Sequence, residues 1–185
     1  MTYTLSGSSV DGPHVVWSAY WAAVFAVLMA AGWWRARREG AAAAMTALLV
    51  PVAVGAAFGV TGAVKPPVAE DRPCRRPALR TPEACPARGN WSFPGNHTAI
   101  AFAAAVALFF VSRRPGTAAS VCALAMAASR VWVGVHHPRD VVAGAALGGL
   151  VGHLATTAVL RRWPTGLADR LSGTWLRPLL VPGAA

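Results

Sequence analysis

Apolar residues along this chain gather into five long runs, residues 15–34, 41–64, 93–112, 117–135 and 141–160, and the short segments between them hold nearly all of the charge. Each run approaches the ~20 residues that a helix needs to cross the hydrocarbon of a bilayer. The first two runs carry no charged residue. The third has His97 near its start, the fourth is interrupted by Arg130, and the fifth has His153 as its one ionisable group. The pattern predicts an all-α, polytopic transmembrane helix bundle of about five spans, with residues 1–185 as a single membrane-embedded domain. The runs are rich in Gly and Ala, which suits close helix packing in lipid, and Gly144, Gly148 and Gly152 recur every four residues as a smooth packing seam. Pro51 lies inside the second run, where a membrane helix tolerates it with a kink. Residues 65–92 are rich in Pro, Arg and polar groups and read as an irregular loop. The tail beyond Trp163 mixes Leu, Trp and Arg; it either lies on the membrane surface as an amphipathic segment or takes no fixed structure.

The basic clusters set an orientation. Arg35, Arg37 and Arg38 follow the first run, Arg113 and Arg114 the third, and Arg161 and Arg162 the fifth. With five spans all three clusters fall on one side, which the positive-inside rule makes cytoplasmic. The N-terminus and the segments 65–92 and 130–140 then face outward. The first run follows a polar segment with no basic residue and is long for a signal-peptide core, so it reads as a retained span. The outer 65–92 loop is itself basic (Lys65, Arg72, Arg75, Arg76, Arg80, Arg88), against the rule; binding an anionic substrate supplies a reason.

Composition agrees with a membrane protein: 55% of residues are hydrophobic and only 13% charged, too apolar for an ordinary soluble domain. The formal charge of +10 does not indicate nucleic acid, because the arginines sit in short clusters between apolar runs and not along one soluble face; anionic lipid is the better partner. Cys74 and Cys85 share the outer loop, and two cysteines there are either bridged, as an oxidising compartment permits, or free. Cys122, within the fourth run, reads as a small buried apolar residue.

The chain uses a single lysine, Lys65, among seventeen basic residues. It stands where the second run breaks, seven residues before Arg72-Pro73. Further on come Pro94-Gly95-Asn96-His97, then Ser129-Arg130, His136 and Asp140. His136 and Asp140 are four apart and share a face on helical spacing. A carboxylate that accepts one imidazole N–H fixes the tautomer and leaves the other nitrogen as a nucleophile or base. Pro138 favours a helix start at that point, which puts Asp140 in the first turn of the fifth run. A second imidazole, His97, can protonate a leaving group. The backbone N–H groups of Gly95 and Asn96 at a helix start form a phosphate cradle. Lys65, Arg72 and Arg130 neutralise the rest of the phosphate charge. His137 reads as a headgroup-level neighbour and His153 as a satisfied polar residue within the bundle.

These residues resemble the type 2 phosphatidic acid phosphatase superfamily, whose three motifs read K-x6-RP, PSGH and SR-x5-H-x3-D. Lys65-x6-Arg72-Pro73 and Ser129-Arg130-x5-His136-x3-Asp140 match in full, whereas Pro94-Gly95-Asn96-His97 lacks the central Ser-Gly. The resemblance spans residues 65–140. It implies a metal-independent lipid phosphatase without cofactor. His136 is then the nucleophile that forms a phosphohistidine, Asp140 its orienting carboxylate, and His97 the general acid. Lys65, Arg72 and Arg130 are the phosphate clamp, with Gly95 and Asn96 contributing a backbone N–H and a side-chain donor in place of the missing hydroxyl.

The outward site, the small size and the setting Ser92-Phe93-Pro94…His97-Thr98 resemble bacterial members acting on polyprenyl diphosphates in cell-wall lipid-carrier recycling. That implies a multi-pass protein of the inner (plasma) membrane with its site on the extracytoplasmic side. Phosphatidate or phosphatidylglycerophosphate is the alternative substrate. Two further readings stay open: a non-hydrolytic lipid-binding protein with a relic site, and a phosphotransferase using the same covalent intermediate. The family core usually has six spans, one more than counted here.

Overall fold

A computed structural model describes residues 13–75, 85–163 and 166–182. Among them the protein is helical, without strands: α1 (Pro13–Glu39), α2 (Ala41–Val68), α3 (Asn96–Val111), α4 (Arg113–Trp132) and α5 (Pro138–Arg162) are long, α6 (Leu167–Ser172) and α7 (Arg177–Leu180) are short, and Pro73–Arg75 is one turn of 3-10 helix. The five long helices coincide with the five apolar runs. By length and hydropathy α2 and α5 are each long and apolar enough to cross a membrane, and α3 is apolar but shorter, at 16 residues. Residues 1–12 of the segment before the first run, and Arg76 and Arg80 in the basic loop, lie outside the described residues.

The chain reverses in very little space. Gly40 alone separates α1 from α2, at φ 133°, a conformation that side chains exclude. Ser112 alone separates α3 from α4, and a Cβ on Gly116 would lie 2.6 Å from the Phe109 ring, so glycine permits the return of α4 along α3. Helix α2 continues through Pro51, Pro66 and Pro67.

Helix α3 is the centre of the bundle and packs against the other four long helices. It can do so because its side chains are small: Ala99, Ala101, Ala103, Ala104, Ala105 and Ala107 are all fully buried. Trp21 and Phe25 of α1, Val50 of α2, and Ala119, Ala123 and Met126 of α4 close the core around it. The glycine seam of α5 faces α3. A Cβ on Gly144 would meet the Gly95 carbonyl at 2.5 Å, one on Gly148 would overlap the Ala99 backbone, and one on Gly152 would meet the Ala103 carbonyl at 2.8 Å. These partners advance together along both helices, so α3 and α5 run in the same direction with their N-termini side by side.

Two expectations need correction. His153 does not lie within the bundle: Gly152 occupies the buried seam, so the next residue points outward, exposed and 5.5 Å from the Phe110 ring. Cys122 is half-buried and not fully enclosed, although it packs on the core. The described part of the tail folds back on the bundle. Leu180 packs with Ala44 and Met45 at the start of α2, Trp33 Nε1 donates to the Leu179 carbonyl (2.9 Å), and Arg37 donates to that of Val181 (3.0 Å).

The seam makes a direct prediction. Gly148→Ala forces backbone apart and is expected to cost about 1–3 kcal/mol, the range for overpacking. Gly55→Ala, with nothing within 4 Å of the added carbon, is expected to cost nothing. Thermal unfolding of both variants in detergent checks the contrast.

Candidate active site

Each residue singled out by the sequence motifs stands at the same end of the bundle, where α2 and α4 finish and α3 and α5 begin. The parallel pairing of α3 and α5 is closed at that end by one backbone bond, Gly95 N–H to the Asp140 carbonyl (2.9 Å). The same bond corrects an expectation: the Gly95 amide is occupied by Asp140 and is not an open donor for phosphate. Gly95 is also needed there for space, because a Cβ would lie 3.1 Å from the Asp140 carbonyl oxygen. Asn96 begins α3, and its side-chain oxygen is buried without a hydrogen-bond partner.

Asp140 is the junction of the site and has no exposed surface. Pro138 opens α5, so Asp140 falls in its first turn, as expected, and its Oδ2 accepts the N–H of His137 (2.9 Å). The same oxygen accepts the hydroxyl of Ser92. His136 precedes the helix and does not share a helical face with Asp140. The chain bend at residues 133–137 brings its Nδ1 to 3.6 Å from Asp140 Oδ2 and 3.3 Å from Ser92 Oγ. Sequence reasoning named Ser92 only as part of the second motif's setting and gave it no role. Its signal is faint, since a lone serine before Phe-Pro carries no pattern of its own.

The other imidazole nitrogen faces Arg72. The guanidinium Nη1 lies 3.1 Å from His136 Nε2 and donates to the Val135 carbonyl (3.0 Å). The rest of the fork is held by the loop: Nε donates to the Asn90 carbonyl (2.9 Å), and Nη2 to Asn90 Oδ1 (3.0 Å) and to the Trp91 carbonyl (3.3 Å). Asn90 is a second residue that the sequence gave no reason to select. Lys65, at the end of α2, donates through Nζ to the Trp91 carbonyl (2.6 Å). Residues 90–92 therefore bind Lys65, Arg72 and Asp140 at once. Arg130 is buried in the last turn of α4, and its carbonyl accepts the His136 N–H (3.3 Å). His97 lies in the first turn of α3, where the charges of Arg130, Arg72 and Lys65 and the His136 ring all act on it.

Around this centre, Glu70 ties the loop to α5 by ion pairs with Arg139 (2.5 Å) and His137 (3.8 Å), which gives His137 a bracing position. Cys74 and Cys85 are bridged, directly after Arg72. Burial pushes the His136 imidazole below its ordinary 6.5, Arg72 and Lys65 push it the same way, and the Asp140 contact opposes them. His136 is thus a neutral ring at neutral pH, with one nitrogen toward a carboxylate and a hydroxyl and the other toward a fixed cation.

The comparisons agree with the motifs. Residues 44–164 match the family model described as "PAP2 superfamily", and the chain belongs to that superfamily. It is 44% identical over 57 residues to "Bacitracin transport permease protein BcrC" of Bacillus licheniformis, a segment covering 31% of this chain and 28% of the relative. It is 36% identical over 63 residues to "Undecaprenyl-diphosphatase BcrC" of Bacillus subtilis (strain 168), covering 34% of this chain and 33% of the relative. It is 48% identical over 60 residues to "Lipid A 1-phosphatase" of Rhizobium etli, covering 31% of this chain and 25% of the relative. These matches therefore span a third or less of each relative's length. The fold is similar to that of a transmembrane PAP2 type phosphatidylglycerolphosphate phosphatase from Bacillus subtilis, with a TM-score of 0.56 and 21% identity over 80% of this chain and 73% of that one.

A planar fork that reaches a ring nitrogen, three backbone carbonyls and the Asn90 side-chain oxygen cannot be replaced by an ammonium. Arg72→Lys leaves several of these acceptors without a donor and the cation less firmly placed, and is expected to weaken binding of orthovanadate, a phosphate mimic, by about 10–100-fold, on the order of one or two hydrogen bonds. Calorimetric titration checks it.

Proposed function

We propose that this protein is an integral-membrane lipid phosphatase that removes a phosphate group through a phosphohistidine on His136, with polyprenyl (undecaprenyl) diphosphate as its substrate. The observation that carries the reading is the 3.1 Å approach of Arg72 Nη1 to His136 Nε2: the cation suited to a phosphate oxygen stands beside the nitrogen suited to attack phosphorus. In the first step Nε2 attacks phosphorus, the bond from phosphorus to the lipid-side oxygen breaks, and His97 protonates that oxygen. Asp140 stabilises the positive charge that develops on the ring. In the second step water attacks phosphorus, His97 takes the proton, and the P–N bond breaks to release inorganic phosphate and return neutral His136. Lys65, Arg72 and Arg130 balance the charge of the phosphate oxygens throughout. With the Gly95 amide engaged by Asp140, the Asn96 side chain supplies the donor on that side.

The substrate assignment rests on the relatives named for undecaprenyl diphosphate and bacitracin. Phosphatidylglycerophosphate, for which the structural neighbour is named, and phosphatidate are the alternatives. Five spans with the N-terminus outside are supported by the five long helices, by the end-clustered arginines, and by exposed Trp132 at the site end and Trp34 and Trp175 at the other. The site then faces the extracytoplasmic side, where a bridged Cys74–Cys85 pair is stable.

Phosphate release from polyprenyl diphosphate, phosphatidate and phosphatidylglycerophosphate, measured with EDTA present, tests the reading. Release is expected from the diphosphate, unchanged by EDTA and reduced more than about a thousandfold by His136→Ala. Undetectable release across the panel favours a lipid-binding protein, and transfer of the phosphate to another lipid marks a phosphotransferase. The reacting ring must be unprotonated. Because its folded value lies below 6.5, any loss of kcat/KM through protonation of His136 is expected only below the ordinary imidazole value, which a pH–rate profile checks.

A further inference from the structure

We propose that Ser92 is the positioning residue of the nucleophile: its hydroxyl, placed between His136 and Asp140, accepts the Nδ1 proton and holds the ring with an unprotonated Nε2 toward Arg72. The proposal rests on His136 being the attacking residue and adds how its reactive form is selected.

Protons can be counted from the two ends of the ring independently. A serine hydroxyl has one proton to donate and two lone pairs to accept. Ser92 Oγ touches Asp140 Oδ2 and, at 3.3 Å, His136 Nδ1. An ionised carboxylate only accepts, so the hydroxyl proton is committed to Asp140. The contact with Nδ1 is then a bond in which Nδ1–H donates to Oγ. At the far side of the ring, a guanidinium only donates, so the 3.1 Å contact with Arg72 requires Nε2 to accept. Both ends call for the same tautomer. The direct distance from Nδ1 to the carboxylate, 3.6 Å, is too long for Asp140 to hold that proton closely by itself.

The construction is buried and over-determined. Ser92 has no exposed surface, and its own N–H donates to the Glu70 carbonyl (2.8 Å). Its carbonyl faces Lys65 Nζ at 3.5 Å. Ser92 thus carries the position of the 90–92 loop, which also holds the Arg72 fork, into the orientation of the ring. With alanine at 92, Asp140 keeps only the His137 N–H on Oδ2, and Nδ1 has no acceptor nearer than 3.6 Å. Arg72 still opposes a proton on Nε2, but the ring is no longer held at Nδ1 and can turn, which takes Nε2 off its line of attack without removing a residue of the phosphate clamp.

Ser92→Ala is therefore expected to lower kcat about 10–100-fold, the usual effect of removing a group that orients a reacting ligand, with KM changed less than about threefold. Ser92→Thr, which keeps the hydroxyl, is expected to recover most of kcat. The readout specific to positioning is the nitrogen spectrum of 15N-histidine-labelled full-length protein in lipid nanodiscs, with the His136 signals assigned by their loss in His136→Gln. The wild type is expected to carry the His136 proton on Nδ1 in a hydrogen bond, and Ser92→Ala to keep it there with the Nδ1 and N–H signals shifted by the loss of that bond. A wild-type proton on Nε2, or a Ser92→Ala protein with unchanged Nδ1 and N–H signals, overturns the proposal, whatever happens to kcat. A wild type that releases no phosphate defeats the phosphatase reading, while the nitrogen spectra still decide the role of Ser92.

Discussion

The site depends on how closely α3 and α5 approach. Two parallel helices meet backbone to backbone because one contributes Gly144, Gly148 and Gly152 and the other Gly95, Ala99 and Ala103. Their first turns then sit side by side, near enough for the Gly95 amide to reach the Asp140 carbonyl. That bond joins the second motif to the third. Without a hydrophobic driving force in lipid, packing of this kind is what holds helices together. The same contacts that stabilise the bundle therefore set the distance between His97 and the His136–Asp140 pair.

The second constraint is electrostatic. Lys65, Arg72, Arg130, His136 and Asp140 are all nearly excluded from solvent, and three of them are cations against one carboxylate. Such a cluster is costly unless each charge is hydrogen-bonded or paired. Residues 90–92 meet much of that cost by turning three backbone carbonyls and one side-chain oxygen toward Lys65 and Arg72. The surplus positive charge persists, and it is the natural complement of a phosphate group. Burial also keeps the His136 ring neutral, so the environment that would complement an anion leaves the proposed nucleophile unprotonated.

Much of this was legible in the sequence. The five apolar runs located the five long helices, the repeat of Gly144, Gly148 and Gly152 located the seam, and motif spacing gathered six ionisable residues at one end. The misses have a common physical origin. Whether a backbone N–H is free depends on what lies opposite it, so the engagement of Gly95 by Asp140 was invisible. Spacing of four suggested a helical face for His136 and Asp140, but Pro138 starts the helix after His136, and the contact is made across a bend. Ser92 and Asn90 act through contacts 44 to 48 and 18 residues away, which no local pattern records. His153 was placed inside the bundle because a polar group in an apolar run suggests burial, whereas the seam itself turns that position outward.

The central claim is that phosphorus passes through a bond to His136. Its most direct test is a rapid alkaline quench of the protein turning over terminally 32P-labelled polyprenyl diphosphate, followed by peptide mapping of the label. The account predicts an acid-labile, alkali-stable phosphate on the peptide containing His136, absent from the His136→Ala protein. Turnover with no protein-bound phosphate, or with the label on any other residue, would contradict it.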